Sequence, residues 1–197
     1  MLDLHKLLSE NELKALLSLL KKYPELAKKL KERLQPYIED KEWLLSFNIQ
    51  VRLNVVKEKV FFVVADFLKK RLQEFLKSKL TGEVEFFSTY IDKDAEPPWQ
   101  SLKYCQVDVT PDEIIQYLSQ FVPETMLDYT IERAYYINTG CCNSFVSYVV
   151  IRFFPAKLKE VEPEYWYHSA KPLITLYRER VVDFDEDEYY DSYYIRC

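Results

Sequence analysis

Glycine is scarce in this chain, with two copies among 197 residues. Loops that bind nucleotides need glycine where the backbone must approach a phosphate group closely. The sequence therefore argues against a Rossmann domain or a P-loop enzyme. Histidine is just as scarce. His5 and His168 lie far apart in sequence, and neither has a cysteine at the spacing of zinc ligands, so we do not expect a zinc finger.

Long uncharged apolar runs are missing as well. A membrane-spanning helix needs about 20 consecutive apolar residues, whereas runs such as Val60–Ala65 end in charged residues. The first residues also lack the basic and apolar regions of a secretory signal. We therefore expect a soluble, cytoplasmic protein that has no membrane partner.

The four cysteines, Cys105, Cys141, Cys142 and Cys197, contain no CxxC pair. For an intracellular protein we expect them to be mostly reduced. A disulfide between Cys105 and Cys141 becomes reasonable if the source is a hyperthermophile, in which intracellular disulfides are common. The adjacent Cys141 and Cys142 have no histidine close in sequence, which favours small core residues over a catalytic nucleophile.

The composition that remains, 48% hydrophobic and 30% charged, is typical of a globular protein. Ser9 and Glu12 form a capping box that predicts a first helix over residues 10–22. Pro24 suits the first turn of a second helix, and Pro36 is expected to end it and to open a third helix through Leu45. Residues 1–45 therefore read as a helical layer.

A sheet-containing core is predicted over residues 47–182. Residues 47–55 alternate between apolar and polar side chains, which predicts a strand, and a helix closed by Gly82 follows. Thr110 and Glu113 cap a further helix over about 111–121. The remaining strands are expected at 84–91, 102–109, 129–137, 145–154 and 173–182.

This order predicts a single α+β domain over residues 1–182, in which helices cover one face of a mainly antiparallel sheet. A split βαβ, ferredoxin-like arrangement is one form of that class. Residues 183–197 follow as an acidic, tyrosine-rich C-terminal tail.

Charge is unevenly distributed along the chain. Residues 1–80 carry 17 Lys and Arg against 11 Asp and Glu, whereas residues 81–197 carry 10 against 21. Residues 183–197 alone hold six acids and one base, a net charge of −5 that equals the charge of the whole chain. Lysines and arginines on the N-terminal helices read as solvated faces, and the negative net charge argues against direct binding of nucleic acid.

The tail is the first candidate for a binding site. Carboxylates steer toward a basic surface, and tyrosine supplies contact area at low entropic cost. The partner is then a basic protein, or the nucleic-acid-binding site of one. The alternative is that the tail packs as a last strand or wraps over the basic helices. The candidate partner-binding residues are Asp185, Asp187, Tyr189, Tyr190, Tyr193 and Tyr194.

Aspartates at two other places give an alternative, enzymatic interpretation. Asp92-Lys93-Asp94 is a DxD motif, and two carboxylates at this spacing hold Mg²⁺ or Mn²⁺ in sugar and nucleotide transferases. This interpretation predicts a divalent-metal-dependent glycosyl- or nucleotidyl-transferase.

The stretches Glu85–Tyr90 and Tyr104–Thr110 resemble the catalytic start of archaeo-eukaryotic primase small subunits. In that family, a strand that contains serine precedes a second strand with a metal-binding Asp-x-Asp. Asp108 matches the first aspartate, but Thr110 stands in place of the second. No histidine occurs at residues 138–144, where the family has one. The resemblance therefore implies a degenerate metal site at Asp108 in a catalytically impaired relative.

Taken together, the residues favour a non-enzymatic intracellular interaction protein that needs no cofactor. The poverty in glycine and the abundance of Tyr, Lys and Glu resemble the composition of orphan proteins from archaeal viruses and mobile elements. That resemblance implies a host-directed protein, such as an inhibitor, from a thermophile.

Overall fold

The computed structural model describes residues 8–40, 42, 48–87, 101–138, 143–153, 172–183 and 188–197. These residues form four α-helices and a six-stranded antiparallel sheet, which confirms the predicted α+β class. The elements are α1 (Glu10–Lys22), α2 (Pro24–Glu39), α3 (Ile49–Lys77), β1 (Leu80–Phe87), β2 (Ser101–Val107), α4 (Pro111–Leu118), β3 (Leu127–Asn138), β4 (Asn143–Phe153), β5 (Pro172–Asp183) and β6 (Glu188–Arg196). No helix in this part of the chain is long and apolar enough to cross a membrane.

The chain divides into two compact units. The first comprises residues 1–71, 115–128 and 152–173, and it contains α1, α2 and most of α3. The second comprises residues 72–114, 129–151 and 174–197, and it contains most of the sheet. Each unit therefore combines segments that are distant in sequence.

The capping box at the start of α1 is present as predicted. Ser9 N donates to Glu12 Oε2 at 2.7 Å, and Glu12 N donates to Ser9 Oγ at 3.4 Å. These two bonds satisfy amides that the first helical turn leaves without partners. The bounds of α1 match the predicted 10–22.

The expectation that Pro36 ends the second helix is wrong. Pro36 lies inside α2, which continues to Glu39 and ends where Asp40 N donates to Pro36 O at 3.3 Å. Proline removes one amide donor, but only one further turn follows it, so few bonds are lost.

The strand predicted over residues 47–55 is also wrong, because the described part of this segment is helical. Asn48 Oδ1 accepts a bond from Val51 N at 2.9 Å and so caps α3. Leu53, Val56 and Val60 are buried at helical spacing. The alternation that predicts a strand therefore coexists with a three- and four-residue spacing that continues for the 29 residues of α3.

Gly82 does not close the preceding helix as expected. The helix ends at Lys77, and Ser78 Oγ donates to Phe75 O at 2.7 Å just beyond it. Gly82 lies in β1, where the pairing with β2 shifts register between Leu80 and Gly82. Such a bulge leaves one residue without an opposite partner, and glycine accommodates it easily.

The strand order is β1-β2-β6-β5-β4-β3. It consists of a β1–β2 hairpin and a β3–β6 meander, and β6 joins the two because it pairs with both β2 and β5. A split βαβ sheet has parallel central strands, so the ferredoxin-like form of the prediction is incorrect. Its first strand would be residues 47–55, which the structure shows as helix.

The helix α4 begins as the sequence predicts. Thr110 N donates to Glu113 Oε2 at 2.7 Å, and Glu113 N donates to Thr110 Oγ1 at 3.2 Å. The hydrogen bond from the Thr110 backbone holds the pKa of Glu113 below its ordinary value. The helix ends at Leu118, three residues before its predicted end.

Candidate protein-interaction site

The predicted tail is not a separate appendage over its described residues. Glu188–Arg196 forms β6, so the alternative of a last strand describes this segment. Side chains alternate between the two faces of a strand, which places Tyr189 and Tyr193 on one face and Tyr190 and Tyr194 on the other. The four predicted tyrosines therefore do not form one continuous surface.

The end of β6 formed by Tyr193–Arg196 is called here the flanked end, because β2 pairs with it on one side. Its partners on β2 are the residues from Val107 back to Tyr104. On the other side, Tyr193 and Tyr194 pair with β5. Tyr193 and Tyr194 are thus paired on both edges.

An aromatic cluster covers one face of the flanked end. Tyr194 is 7% exposed and packs with Tyr104, Tyr177 and Val146, all of them buried. The rings of Tyr104 and Tyr177 lie edge to face with centroids 4.7 Å apart. Tyr194 OH also donates to Glu179 Oε2 at 3.4 Å. The prediction that Tyr194 binds a partner at the surface is therefore incorrect, because its side chain belongs to the core.

A disulfide joins Cys105 of β2 to Cys197, directly after β6. Their Cα atoms are 5.4 Å apart, within the usual range for a disulfide. The expectation of mostly reduced cysteines is thus wrong for this pair, and Cys105 is not bonded to Cys141 as the hyperthermophile alternative supposed. The pairing depends on β2 and β6 being neighbours, which the spacing of cysteines in the sequence does not reveal.

The other end of β6, Glu188–Asp191, is called the hairpin end. In the described part of the chain its register partners are residues 180–183 of β5. Tyr189 is 62% exposed, the highest value among the large hydrophobic side chains for which exposure is described, and Tyr190 is 54% exposed. Two of the four predicted tyrosines are therefore surface residues.

Arg180 on β5 organises the hairpin end. Its Nε and Nη2 donate to the two carboxylate oxygens of Asp191 at 2.6 and 2.7 Å. Its guanidinium carbon lies 4.3 Å from the centre of the Tyr189 ring, a cation–π distance. Arg180 thus holds an exposed tyrosine and a carboxylate in fixed positions.

These contacts also set the protonation of the strand. The hydrogen-bonded guanidinium of Arg180 holds the pKa of Asp191 below the ordinary 3.8. Burial raises the pKa of Tyr193 and Tyr194 above the ordinary 10.0. At neutral pH, Asp191 is therefore a carboxylate and both tyrosines are neutral phenols.

Sequence reasoning missed Arg180 and its neighbour Arg178, whose Nε donates to Ser147 Oγ at 3.1 Å. Arg180 and Asp191 are 11 residues apart in sequence and directly opposite in the β5–β6 register. A prediction of this hairpin from the sequence would have identified Arg180 as the partner of Asp191.

The predicted metal site is described only at Asp108. Its side chain is exposed and its backbone N donates to Lys79 O at 2.8 Å. Within the described ranges, no three Asp, Glu, His or Cys residues are grouped so that they would hold a metal ion. Asp92, Asp94, Asp185 and Asp187 lie outside these ranges. The proposed role of Asp92 and Asp94 in metal binding therefore stays a prediction.

Lys29 of α2 and Lys70 of α3 lie on a solvated surface, whereas Lys57 of α3 is buried. Lys29 Nζ and Lys70 Nζ are 3.9 and 3.3 Å from the carboxylate of Asp66, and all three side chains are about half exposed. A shallow groove of about 320 Å³ borders Lys29, Arg33 and Phe62 in the same unit. Exposed ion pairs of this kind contribute little to stability.

Comparisons with protein-family models, with curated proteins and with solved structures find no match.

Proposed function

We propose that this protein is a non-enzymatic interaction module and that the hairpin end of β6 binds a basic surface of a protein partner. The observation that carries the proposal is the adjacent pair Tyr189 and Tyr190, 62% and 54% exposed, at the most acidic part of the chain. Exposed aromatic side chains are enriched at the centres of protein interfaces, where they bury a large area per residue.

The charge around these tyrosines specifies the partner. Residues 183–191 include six acids and no base. Asp191 is paired with Arg180. The other five acids belong to residues 183–188, which include the end of β5, the start of β6 and the sequence between them, and this segment contains no base. Such an excess of negative charge attracts a Lys- or Arg-rich surface and repels phosphate groups. The partner is therefore a basic protein, and the surface that is bound can be the nucleic-acid-binding site of that protein.

The contacts of Arg180 support a binding role for Tyr189. An exposed side chain normally loses rotamer freedom when it binds, and this loss weakens the complex. The guanidinium 4.3 Å from the Tyr189 ring already restricts that freedom. We therefore expect a smaller entropic cost for binding through Tyr189 than through an unsupported surface tyrosine.

The composition that resembles proteins of archaeal viruses and mobile elements fits a host-directed role for such a module in the cytoplasm. A small acidic protein that covers the basic site of a host protein acts as a competitor for that protein's anionic ligands. This role requires no metal ion or cofactor.

The test is a quantitative affinity capture from the native cells with the wild-type protein and two variants. Y189S/Y190S removes both exposed rings, and Tyr129→Ser removes a tyrosine of β3 that is 41% exposed. We expect basic proteins that are captured by the wild type and by the Tyr129 variant and lost with Y189S/Y190S. A partner list that is identical for all three proteins would contradict the proposal.

A further inference from the structure

We infer that the hairpin end of β6 receives its partner as an added β-strand: an extended, Lys- or Arg-bearing peptide segment that pairs with the edge of β6 beyond the end of β2. The inference rests on the proposed function, because it concerns the same surface. It adds the mode of recognition and the conformation of the bound segment.

The two pairings of β6 differ in length. The pairing with β5 comprises seven residue pairs, from Tyr177↔Tyr194 to Asp183↔Glu188. The pairing with β2 comprises four and stops at Val107↔Tyr193. One edge of β6 is therefore paired with β5 from Glu188 to Tyr194, whereas the other edge is paired with β2 only at the flanked end.

The chain turns away from β6 directly after β2. Asp108 N donates to Lys79 O, and Thr110 caps α4 immediately afterwards. The chain thus leaves the sheet at the position where a longer β2 would reach Asp191 and Tyr189. In the described ranges, Tyr189 and Asp191 have their register partners on β5 alone. A strand edge of this kind is a template for pairing with an extended segment of another chain.

The hairpin end is chemically complementary to such a segment on both faces of the strand. An added strand presents its side chains alternately to the two faces. Tyr189 is exposed on one face and Tyr190 on the other, so each face offers one aromatic ring. The five acids of residues 183–188 favour Lys or Arg in the added segment. The edge, the rings and the charge all indicate the same occupant.

The test uses two fluorescent peptides of equal charge. The first is an acetylated octapeptide that alternates Lys and Thr. The second has the same sequence, but its four central residues are N-methylated, which removes amide donors from both of its edges. We expect the first peptide to bind the wild-type protein at least ~10-fold more tightly by fluorescence anisotropy, because strand pairing needs those donors.

Two further measurements locate the bound peptide. Hydrogen exchange is expected to slow at amides within residues 188–192 when the first peptide is present. Tyr189→Ser is expected to weaken binding of that peptide by ~10-fold, and Tyr129→Ser on β3 is expected to leave it unchanged. Circular dichroism of both variants checks that the fold is intact.

The outcomes separate this inference from the proposed function. Equal binding of the two peptides, with the same dependence on Tyr189, would overturn strand addition and leave the acidic docking surface in place. Binding lost with Tyr129→Ser and kept with Tyr189→Ser would overturn both, because the peptide would then add to β3. Failure of both peptides to bind at low salt would also overturn both.

Discussion

The two ends of β6 belong to one strand of nine residues but differ in the burial of their tyrosines and in the elements that hold them. At the flanked end, Tyr194 is 7% exposed, and β2, β5 and a disulfide hold the strand. At the hairpin end, Tyr189 is 62% exposed and the described contacts come from β5. Identical residue types therefore have opposite roles, and pairing decides which tyrosine is structural.

Among substitutions that test this contrast, we expect the removal of the Tyr194 ring to lower the free energy of unfolding most. Tyr194→Ala removes a ring that packs against Tyr104 and Tyr177, and it leaves a cavity between them. Truncation of a buried aromatic residue costs about 3–5 kcal/mol. Urea denaturation followed by circular dichroism measures the free energy of unfolding. Tyr189→Ala is the matched change at the other end and should cost less than ~0.5 kcal/mol. Equal losses would show that the two ends do not differ.

The disulfide is the second largest contribution at the flanked end. Cys105 and Cys197 are 92 residues apart in sequence, so the bridge removes much conformational freedom from the unfolded chain. We expect C105S/C197S to lower the free energy of unfolding by about 2–4 kcal/mol. A reductant should lower the melting temperature of the wild type and leave that of the double variant unchanged.

Thiol titration checks the disulfide directly. Under denaturing conditions without reductant, the bridge removes two of the four thiols from reaction, namely those of Cys105 and Cys197. Reaction of Cys105 or Cys197 with the reagent before reduction would contradict the bridge. Peptide mapping by mass spectrometry identifies the cysteines that react.

The helix starts that were predicted correctly depend on residues that are close together in the sequence. Ser9 with Glu12, and Thr110 with Glu113, are capping pairs three residues apart, and both helix starts agree with the structure. The strand predicted over residues 47–55 is wrong because their apolar positions fit both the two-residue period of a strand and the spacing of a helix. The cap at Asn48 favours the helix. Local sequence therefore predicted most elements but not the choice between two compatible periods.

The candidate site was harder to predict, because it depends on which strands become neighbours. Alternation alone separates Tyr189 from Tyr190, but the burial of Tyr194 follows from its contact with Tyr104, some 90 residues earlier. The sequence carries no local signal for the pairing of β2 with β6. The acidic charge was visible from the sequence, whereas its arrangement around Arg180 was not.

The Arg180–Asp191 pair gives the third prediction, which concerns pH. Asp191 is 18% exposed and its pKa in the folded protein is below 3.8. The stabilisation is therefore present above the pKa of the unfolded chain and is lost as the pH falls through the lower, folded pKa. We expect Asp191→Asn to cost about 1 kcal/mol at pH 7, after allowance for the partly exposed arginine.

The difference in free energy of unfolding between the wild type and Asp191→Asn should shrink below about pH 4. It should disappear at lower pH, where residue 191 is uncharged in both proteins. Urea denaturation at a series of pH values measures this difference. Asp108→Asn removes an exposed carboxylate outside the hairpin and serves as the control. A difference that stays constant down to pH 2 would contradict the assigned ion pair.

The smallest expected effect on stability is at Tyr189. Because its ring is 62% exposed and contacts Arg180 on one side, Tyr189→Ser should change the free energy of unfolding by less than about 0.5 kcal/mol. The same substitution should weaken binding of a basic partner by ~10-fold, since a central aromatic residue contributes more than 1 kcal/mol to an interface. A loss of stability as large as the loss of binding would show that Tyr189 is a structural residue like Tyr194, and the contrast between the two ends of β6 would then disappear.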